Sequence, residues 1–192
     1  MSNPQVVRRP VPLREGKGRA FEQRFFARVP WLAASSLRLI ARLPPSSRLR
    51  QALMWRGIRL SAEAFNRRDL DALAPTRDPD FEFHPPREAV ESGFFEPCYR
   101  GAAGYGRYVS ELADVWGADM RIESLELIDM GDRLVMLLDA PMRAKASGVP
   151  LTGKLASVAT LVNGRVIHQQ DYLDHDEALE AVGLSERAVR PG

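Results

Sequence analysis

The sequence is poor in several chemistries, and each shortage removes a class of function. It has one cysteine, Cys98, which excludes an intramolecular disulfide framework. Pro97 and Tyr99 flank it, with no second Cys or His at ligand spacing, so it reads as a small packing residue. The three histidines, His84, His168 and His175, show no HxH or HxxxH spacing, and the acidic pairs follow no calcium-loop pattern. No Gly-rich phosphate loop follows a strand, and no nucleophile elbow is present. A site without metal or cofactor is therefore expected. Long apolar runs are missing too. The patch WLAASSLRLIARL (31–43) falls short of the ~18 residues of a membrane span and is interrupted by Arg38 and Arg42. It lacks an A-x-A-like cleavage site after the early Arg8-Arg9 pair, so a cytoplasmic location is expected. Lysine is scarce as well. Only 3 of the 27 basic side chains are Lys, a bias that suggests a GC-rich bacterial coding sequence.

What is present is a 192-residue chain, 45% apolar, long enough for one domain with an extension. A globular part of roughly 140 residues would bury about two-thirds of its unfolded surface, enough for a core without staples. The net charge of +2 conceals an asymmetry: residues 1–50 hold 11 Lys/Arg against 2 Asp/Glu, and residues 51–192 hold 16 against 23. This contrast divides the chain into a basic N-terminal arm and helical extension (1–50), a domain (51–184) and a short disordered tail (185–192). Docking of the arm on the acidic domain, or on that of a dimer mate, is the favoured reading. Phe25, Trp31 and the Arg24/Arg28 and Arg38/Arg42 spacing also leave contact of residues 18–43 with an anionic membrane surface open. No nucleic-acid motif occurs, and no nucleic-acid partner is expected.

Along the chain, residues 1–17, polar and broken by Pro10 and Pro12, read as a disordered arm. A helical pattern interrupted at Pro30 runs from 18 to about 43, and LPPSS (43–47) breaks it. A helix capped in that Ser pair extends to Asn66 with Leu53, Met54, Ile58, Ala62 and Phe65 near one face. Asp69 caps a short turn, DFEFHPP (80–86) alternates as a strand, and 87–98 reads as an irregular loop. A second helix covers 102–116. Strands follow at 120–130, 133–146, 150–162 and 165–173, joined by turns at Gly131-Asp132, Ser147-Gly148 and Asn163-Gly164. DHDEALEAVGL (174–184) is a helix with Asp174 as cap and Gly183 past its last turn. Helices segregated before a meander argue for α+β, with one sheet face covered and the sheet curling around a cavity.

The ordered set AEAFNRRDLDAL, DPDFEFHPP, YRGAAGYGRYVSELADVW, LELIDMGDRLVMLL and LVNGRVIHQQDYLDHDEALEAVGL, spanning 51–184, resembles the SnoaL-like branch of the nuclear transport factor 2-like superfamily. The resemblance implies a cone: a curved, antiparallel-dominated sheet wrapped on helices around a deep apolar pocket, with a homodimer through the sheet. That superfamily contains polyketide cyclases, ketosteroid isomerases, limonene epoxide hydrolases and members without catalysis, so the fold does not settle the function.

Within the resemblance, Asp171 matches the pocket base of the epoxide hydrolases, and a carboxylate on an apolar wall has a raised pKa suited to proton transfer. The Arg and second Asp that accompany such a base fall near Leu138 and Ala140. Asp139 is one residue off and so on the opposite face, which leaves the epoxide-opening triad incomplete. His84, before Pro85, stands where the isomerases carry their general base, and its alternative is a hydrogen-bonded rim histidine. The isomerase's oxyanion-binding Tyr and Asp map to Ser61 and Ser157, which would not do the same work.

Alternation places Ile167, Gln169 and Leu173 on the face of Asp171, and His168, Gln170 and Tyr172 on the other, unless a bulge intervenes. Glu82, Tyr99, Tyr108, Trp116 and Gln169 are expected at the pocket wall or rim, with Tyr108 and Trp116 alternatively plain core. Two functions follow. One is a cofactor-free acid–base enzyme of cyclase, isomerase or dehydratase type, acting on a hydrophobic carbonyl or ring substrate with Asp171 and His84 across the pocket. The other is a non-catalytic module that binds a hydrophobic small molecule or only dimerises.

Overall fold

The computed structural model describes residues 8–13, 18, 21, 23–24, 30–117, 120–143, 150–151 and 153–185. The Ser147-Gly148 turn, the arm residues 1–7 and 14–17, the pattern at 25–29 and the tail from 186 lie outside these.

Nine strands and six helices follow in chain order among the described elements: β1 (Arg8–Pro10), α1 (Pro30–Ala41), α2 (Arg48–Asn66), α3 (Leu70–Leu73), β2 (Arg77–His84), α4 (Arg87–Glu91), β3 (Tyr99–Arg100), α5 (Gly101–Trp116), β4 (Ser124–Asp129), β5 (Arg133–Asp139), β6 (Met142–Arg143), β7 (Pro150–Leu151), β8 (Lys154–Val162), β9 (Arg165–Tyr172) and α6 (His175–Ala181). Seven strands form one open sheet in the order β1-β4-β5-β8-β9-β2-β3, and β6 with β7 makes a separate two-stranded ribbon. All pairings in the large sheet are antiparallel except β2 with β9. The molecule is thus α+β with a curved, mostly antiparallel sheet, as the order of elements predicted.

Local chemistry accounts for the element ends. Ser47 caps α2 by accepting from the Arg50 amide, and Asp69 caps α3 by accepting from the Ala72 amide. Asp174 accepts from the amides of Asp176 and Glu177 to start α6. Asn163 and Gly164 both have positive φ, 52° and 79°, the conformation a two-residue hairpin needs to match the strand twist.

Each face of the sheet has its own core. On the concave side, Phe81 and Phe83 of β2 pack with Tyr105, Tyr108, Val109 and Leu112 of α5. On the convex side, Ile128, Val135, Leu137, Ala156 and Val158 are covered by Ala178 and Leu179 of α6. Alternation along β4, β5 and β8 therefore serves two cores, which is why these strands read as nearly continuous apolar runs rather than as half-buried ones.

Three expectations change. Residues 8–13 are not a disordered arm: β1 adds to the edge of β4, Val11 donates to the Leu125 carbonyl at 2.7 Å, and Trp55 Nε1 donates to Pro10 O at 2.9 Å. An edge strand tolerates Pro10, which has no N–H to give, and Val11 is buried there. The strand read across 150–162 is split. A Cβ on Gly153 would stand 1.8 Å from the Ala140 carbonyl oxygen, so the chain can bend against Ala140 only with glycine there. The loop 87–98 contains a short helix, α4, with Ala89 buried.

The boundary drawn at residue 50 falls inside α2. Helix α1 lies against the β8–β9 hairpin so closely that a Cβ on Gly164 would meet Leu37 O at 2.2 Å. Gly164→Ala is accordingly expected to cost about 1–2 kcal/mol for its left-handed backbone alone, and more for the clash. Urea denaturation of the variant checks this, and an unchanged midpoint would remove the close approach of α1.

Candidate functional site

Between the concave sheet face and helices α1, α2 and α5 lies a cavity of about 400 Å³, a volume in the range of small-molecule sites. Its walls are mostly aliphatic. Leu125, Leu134, Met136, Leu138 and Leu155 come from the sheet, Met54, Ile58 and Phe65 from α2, and Leu112 from α5. Leu37 and Ile40 of α1 close over one side. The polar groups are few: Ser61, Thr76, Arg77, Tyr105, Tyr108, Lys154, Ser157, Gln169 and Asp171 with the indole of Trp116.

Among the described residues, Asp171 is the one carboxylate bordering this cavity. Its residual exposure is intermediate, as for every residue of β9, because that strand borders empty space on its inner side. Burial among apolar walls raises its pKa from the ordinary 3.8 to about 6. Three neighbours oppose the rise. Ser157 stands opposite on β8, Gln169 Nε2 donates to Oδ1 at 3.1 Å, and the Arg77 guanidinium attracts the carboxylate's charge. Ser157 Oγ is buried and finds no partner at normal hydrogen-bond geometry, so it sits beside the carboxylate rather than tightly bound to it.

The same polar end holds two phenols kept in their protonated form. Burial raises the pKa of both Tyr105 and Tyr108, and the charge of Asp171 raises each further. Arg77 stacks over the Tyr105 ring at 4.1 Å from its centroid and over Phe81 at 5.1 Å, and its Nε has no hydrogen-bond partner. A carboxylate, a guanidinium and two neutral phenols thus share one end of an otherwise apolar chamber. This arrangement can take a proton from carbon and steady the resulting negative charge on oxygen.

A bulge decides which residues of β9 reach the cavity. His168 pairs with Thr160, but Val166 pairs with Leu161, so Ile167 is the extra residue. Val166, Gln169, Asp171 and Leu173 line the cavity, whereas Ile167, expected on the face of Asp171, does not. Gln169, Tyr108 and Trp116 line the cavity wall, and Ser61 and Ser157 both border the same space. Asp139 lies off the cavity and accepts from Ser124 Oγ, in line with its one-residue displacement from Leu138.

Three expected residues are elsewhere. His84 and Glu82 alternate away from the inward Phe81 and Phe83 and stand on the convex side, where the His84 ring lies 4.8 Å from that of His168. The period of two that buries the two phenylalanines forces this, so His84 cannot face Asp171 across the pocket. Tyr99 is fully buried in the core against Phe83 and Tyr108, not at the rim. Its hydroxyl donates to Glu111 and accepts from the Glu96 amide, and burial raises its pKa to about 12.

Sequence reading missed Arg77 and Tyr105 as site residues. Alternation begins only at Asp80, and the exposed Pro79 with the register shift against β9 between Arg77 and Glu82 means that no period of two assigns Arg77 a face.

Comparison with known proteins agrees with the fold. Residues 58–169, more than half of the chain, match the family model for the SnoaL-like domain. Similar solved structures include a nuclear transport factor 2-like protein of unknown function from Burkholderia pseudomallei, at 27% identity and a TM-score of 0.55 over 68% of this chain and 95% of that one. Another is TerC, co-crystallised with polyporic acid, at 24% identity and a TM-score of 0.54 over 62% of this chain and 89% of that one. No curated protein matches the sequence significantly.

Proposed function

This chain belongs to the SnoaL-like domain family, and on that footing we propose that it is a cofactor-free acid–base enzyme acting on a hydrophobic carbonyl compound with a ring or polyketide-like skeleton. The observation that carries the reading is Asp171, alone among the described carboxylates on an apolar cavity wall, with its pKa lifted to about 6. A base of that strength is ionised at neutral pH, and its conjugate acid remains accessible for the return step.

In the proposed reaction Asp171 removes a proton from the carbon next to a substrate carbonyl. The C–H electron pair moves into an enolate, whose oxygen takes hydrogen bonds from the protonated Tyr105 or Tyr108 and feels the charge of Arg77. Where the ketone is β,γ-unsaturated, the extended dienolate takes the proton back from Asp171 at its γ-carbon, which is isomerisation; where the α-carbon instead attacks a second carbonyl of the same molecule, the alkoxide formed takes the proton from Asp171, which is cyclisation. The aliphatic walls hold the skeleton and exclude water from the enolate. His84 has no place in this scheme.

The experiment is exchange of the α-hydrogens of a panel of cyclic and polycyclic ketones in deuterated water, followed by proton NMR. Wild-type protein is expected to accelerate exchange, with a rate that rises with pH through about 6 as Asp171 ionises. Asp171→Asn is expected to lower the rate by about 10²–10⁴-fold, the usual worth of a positioned base. Ligands that bind without exchange, equally in wild type and Asp171→Asn, would favour the alternative of a hydrophobic-ligand-binding module.

A further inference from the structure

We propose that Glu82, His84 and Cys98 form a zinc-binding site on the convex side of the sheet, separate from the cavity. The strands bring the three together. β2 and β3 pair antiparallel with Glu82 opposite Arg100 and Phe83 opposite Tyr99. Continuing that register by one residue sets Cys98 opposite His84, with Glu82 two residues along the same face. One ligand-type atom from each of Glu82, His84 and Cys98 lies within 4.8 Å of the other two. Tetrahedral zinc at ligand distances of about 2.0–2.3 Å holds its donors about 3.3–3.8 Å apart, so modest side-chain rotation closes the site.

The chemistry of the three atoms calls for a cation. His84 Nδ1 lies 3.1 Å from the Pro97 carbonyl, which can only accept, so Nδ1 donates there and in the neutral ring Nε2 carries the lone pair. That lone pair faces a carboxylate oxygen of Glu82 at 3.8 Å, and the sulfur of Cys98 completes the group. An imidazole nitrogen, a carboxylate oxygen and a sulfur thus converge on one point. The hydrogen bond from Nδ1 to a backbone carbonyl is the outer contact that zinc-ligating histidines use to fix ring and tautomer. It also argues against a Cys–His–Glu nucleophile, because Glu82 does not hold Nδ1.

A partial substitute for the cation is present. Arg100 Nη2 bonds Glu82 Oε1 at 2.9 Å and the same guanidinium reaches Cys98. Its side chain is 77% exposed, so it can swing into solvent when a metal takes its place. The His168 ring braces that of His84 at 4.8 Å, and all three ligands are partly exposed, which leaves an approach from solvent. One sulfur, one imidazole nitrogen and one carboxylate oxygen form a borderline set suited to Zn²⁺. Three protein ligands leave a fourth position for water or an exogenous group. Phe83, between Glu82 and His84, points inward, so the proposal is independent of the cavity's function.

The test is calorimetric titration of the full-length, tag-free, reduced and chelator-treated protein with Zn²⁺, alongside Co²⁺ titration followed by absorption. One saturable site per chain and a thiolate-to-cobalt charge-transfer band are expected. Cys98→Ser is expected to remove the band. His84→Gln and Glu82→Gln are expected to weaken Zn²⁺ binding by at least about tenfold, the loss that even outer-shell changes produce. Asp171→Asn binds as wild type, and circular dichroism confirms that each variant is folded. The absence of a one-to-one site, or equal binding in wild type, Cys98→Ser and His84→Gln, would overturn the proposal.

Discussion

Asp171→Asn is expected to make the protein more stable above pH 7 while leaving its stability near pH 4 almost unchanged. The sign follows from the direction of the pKa change. The folded value of about 6 lies above the ordinary 3.8, so the folded state disfavours the charged carboxylate. Below the unfolded value both states hold the proton and burial carries no ionic penalty. As pH rises from about 4 to about 6 the unfolded chain releases its proton first, and the protein loses stability across that window. The gap between 3.8 and about 6 corresponds to about 3 kcal/mol, an order-of-magnitude figure.

Asparagine removes the ionisation and keeps an oxygen for Gln169 Nε2. It also deprives Arg77 of its counter-charge, which trims the gain to about 1–3 kcal/mol. Urea midpoints of the two proteins, measured from pH 4 to pH 8, should diverge between 4 and 6 and run parallel beyond. A difference independent of pH would mean that Asp171 is not a desolvated acid, and the catalytic reading would fall with it.

Arg50→Ala is expected to destabilise the protein by about 3–5 kcal/mol, the usual effect of breaking a buried ion pair on one side. Arg50 is 1% exposed and gives both Nε and Nη2 to the Asp129 carboxylate, at 2.7 and 2.8 Å. Nη2 also reaches Gly131 O at 2.6 Å, and Nη1 reaches Ala41 O at 3.1 Å and Leu43 O at 3.2 Å. One guanidinium therefore ties the end of α1 to the β4–β5 turn. Removing it leaves several carbonyls without this donor and the buried Asp129 carboxylate without its counter-charge, with the Gly131 amide still donating to it at 2.9 Å, which costs far more than the net worth of the pair.

The double variant Arg50→Met with Asp129→Leu is expected to recover part of the loss, because it abolishes the stranded charge but not the carbonyls. Additive losses in the double-mutant cycle would sink this account. Since Leu37 and Ile40 of α1 close over the cavity, Arg50→Ala is also expected to bind a hydrophobic fluorophore more rapidly in stopped-flow experiments.

The amino-acid sequence by itself determined the main helices and strands and their order, though not β1, α4 or the split between β7 and β8. Caps at Ser47, Asp69 and Asp174, the Asn163-Gly164 hairpin and the nearly continuous apolar runs of β4, β5 and β8 are local devices, and the chain follows each of them. The family resemblance implied a pocket position for Asp171, and the period of two from Gln169 to Leu173 carries its neighbours to the same wall.

What required the tertiary structure was every feature fixed by pairing between distant segments. The bulge at Ile167 depends on the registers of β8 and β2 at once, and no pattern within β9 announces it. His84 was misplaced because a motif position says nothing of which face the neighbouring phenylalanines occupy. The boundary at residue 50 followed the charge contrast, whereas burial binds Arg50 and Val11 into the domain through Asp129 and the edge of β4. Cys98 looked isolated because its candidate partners are 14 and 16 residues away in sequence and adjacent only across the β2–β3 ladder. Local hydrogen bonding and side-chain period are short-range and can be read from neighbours, while register, bulges and ligand clusters are set by long-range pairing and exist only once the sheet has closed around its core.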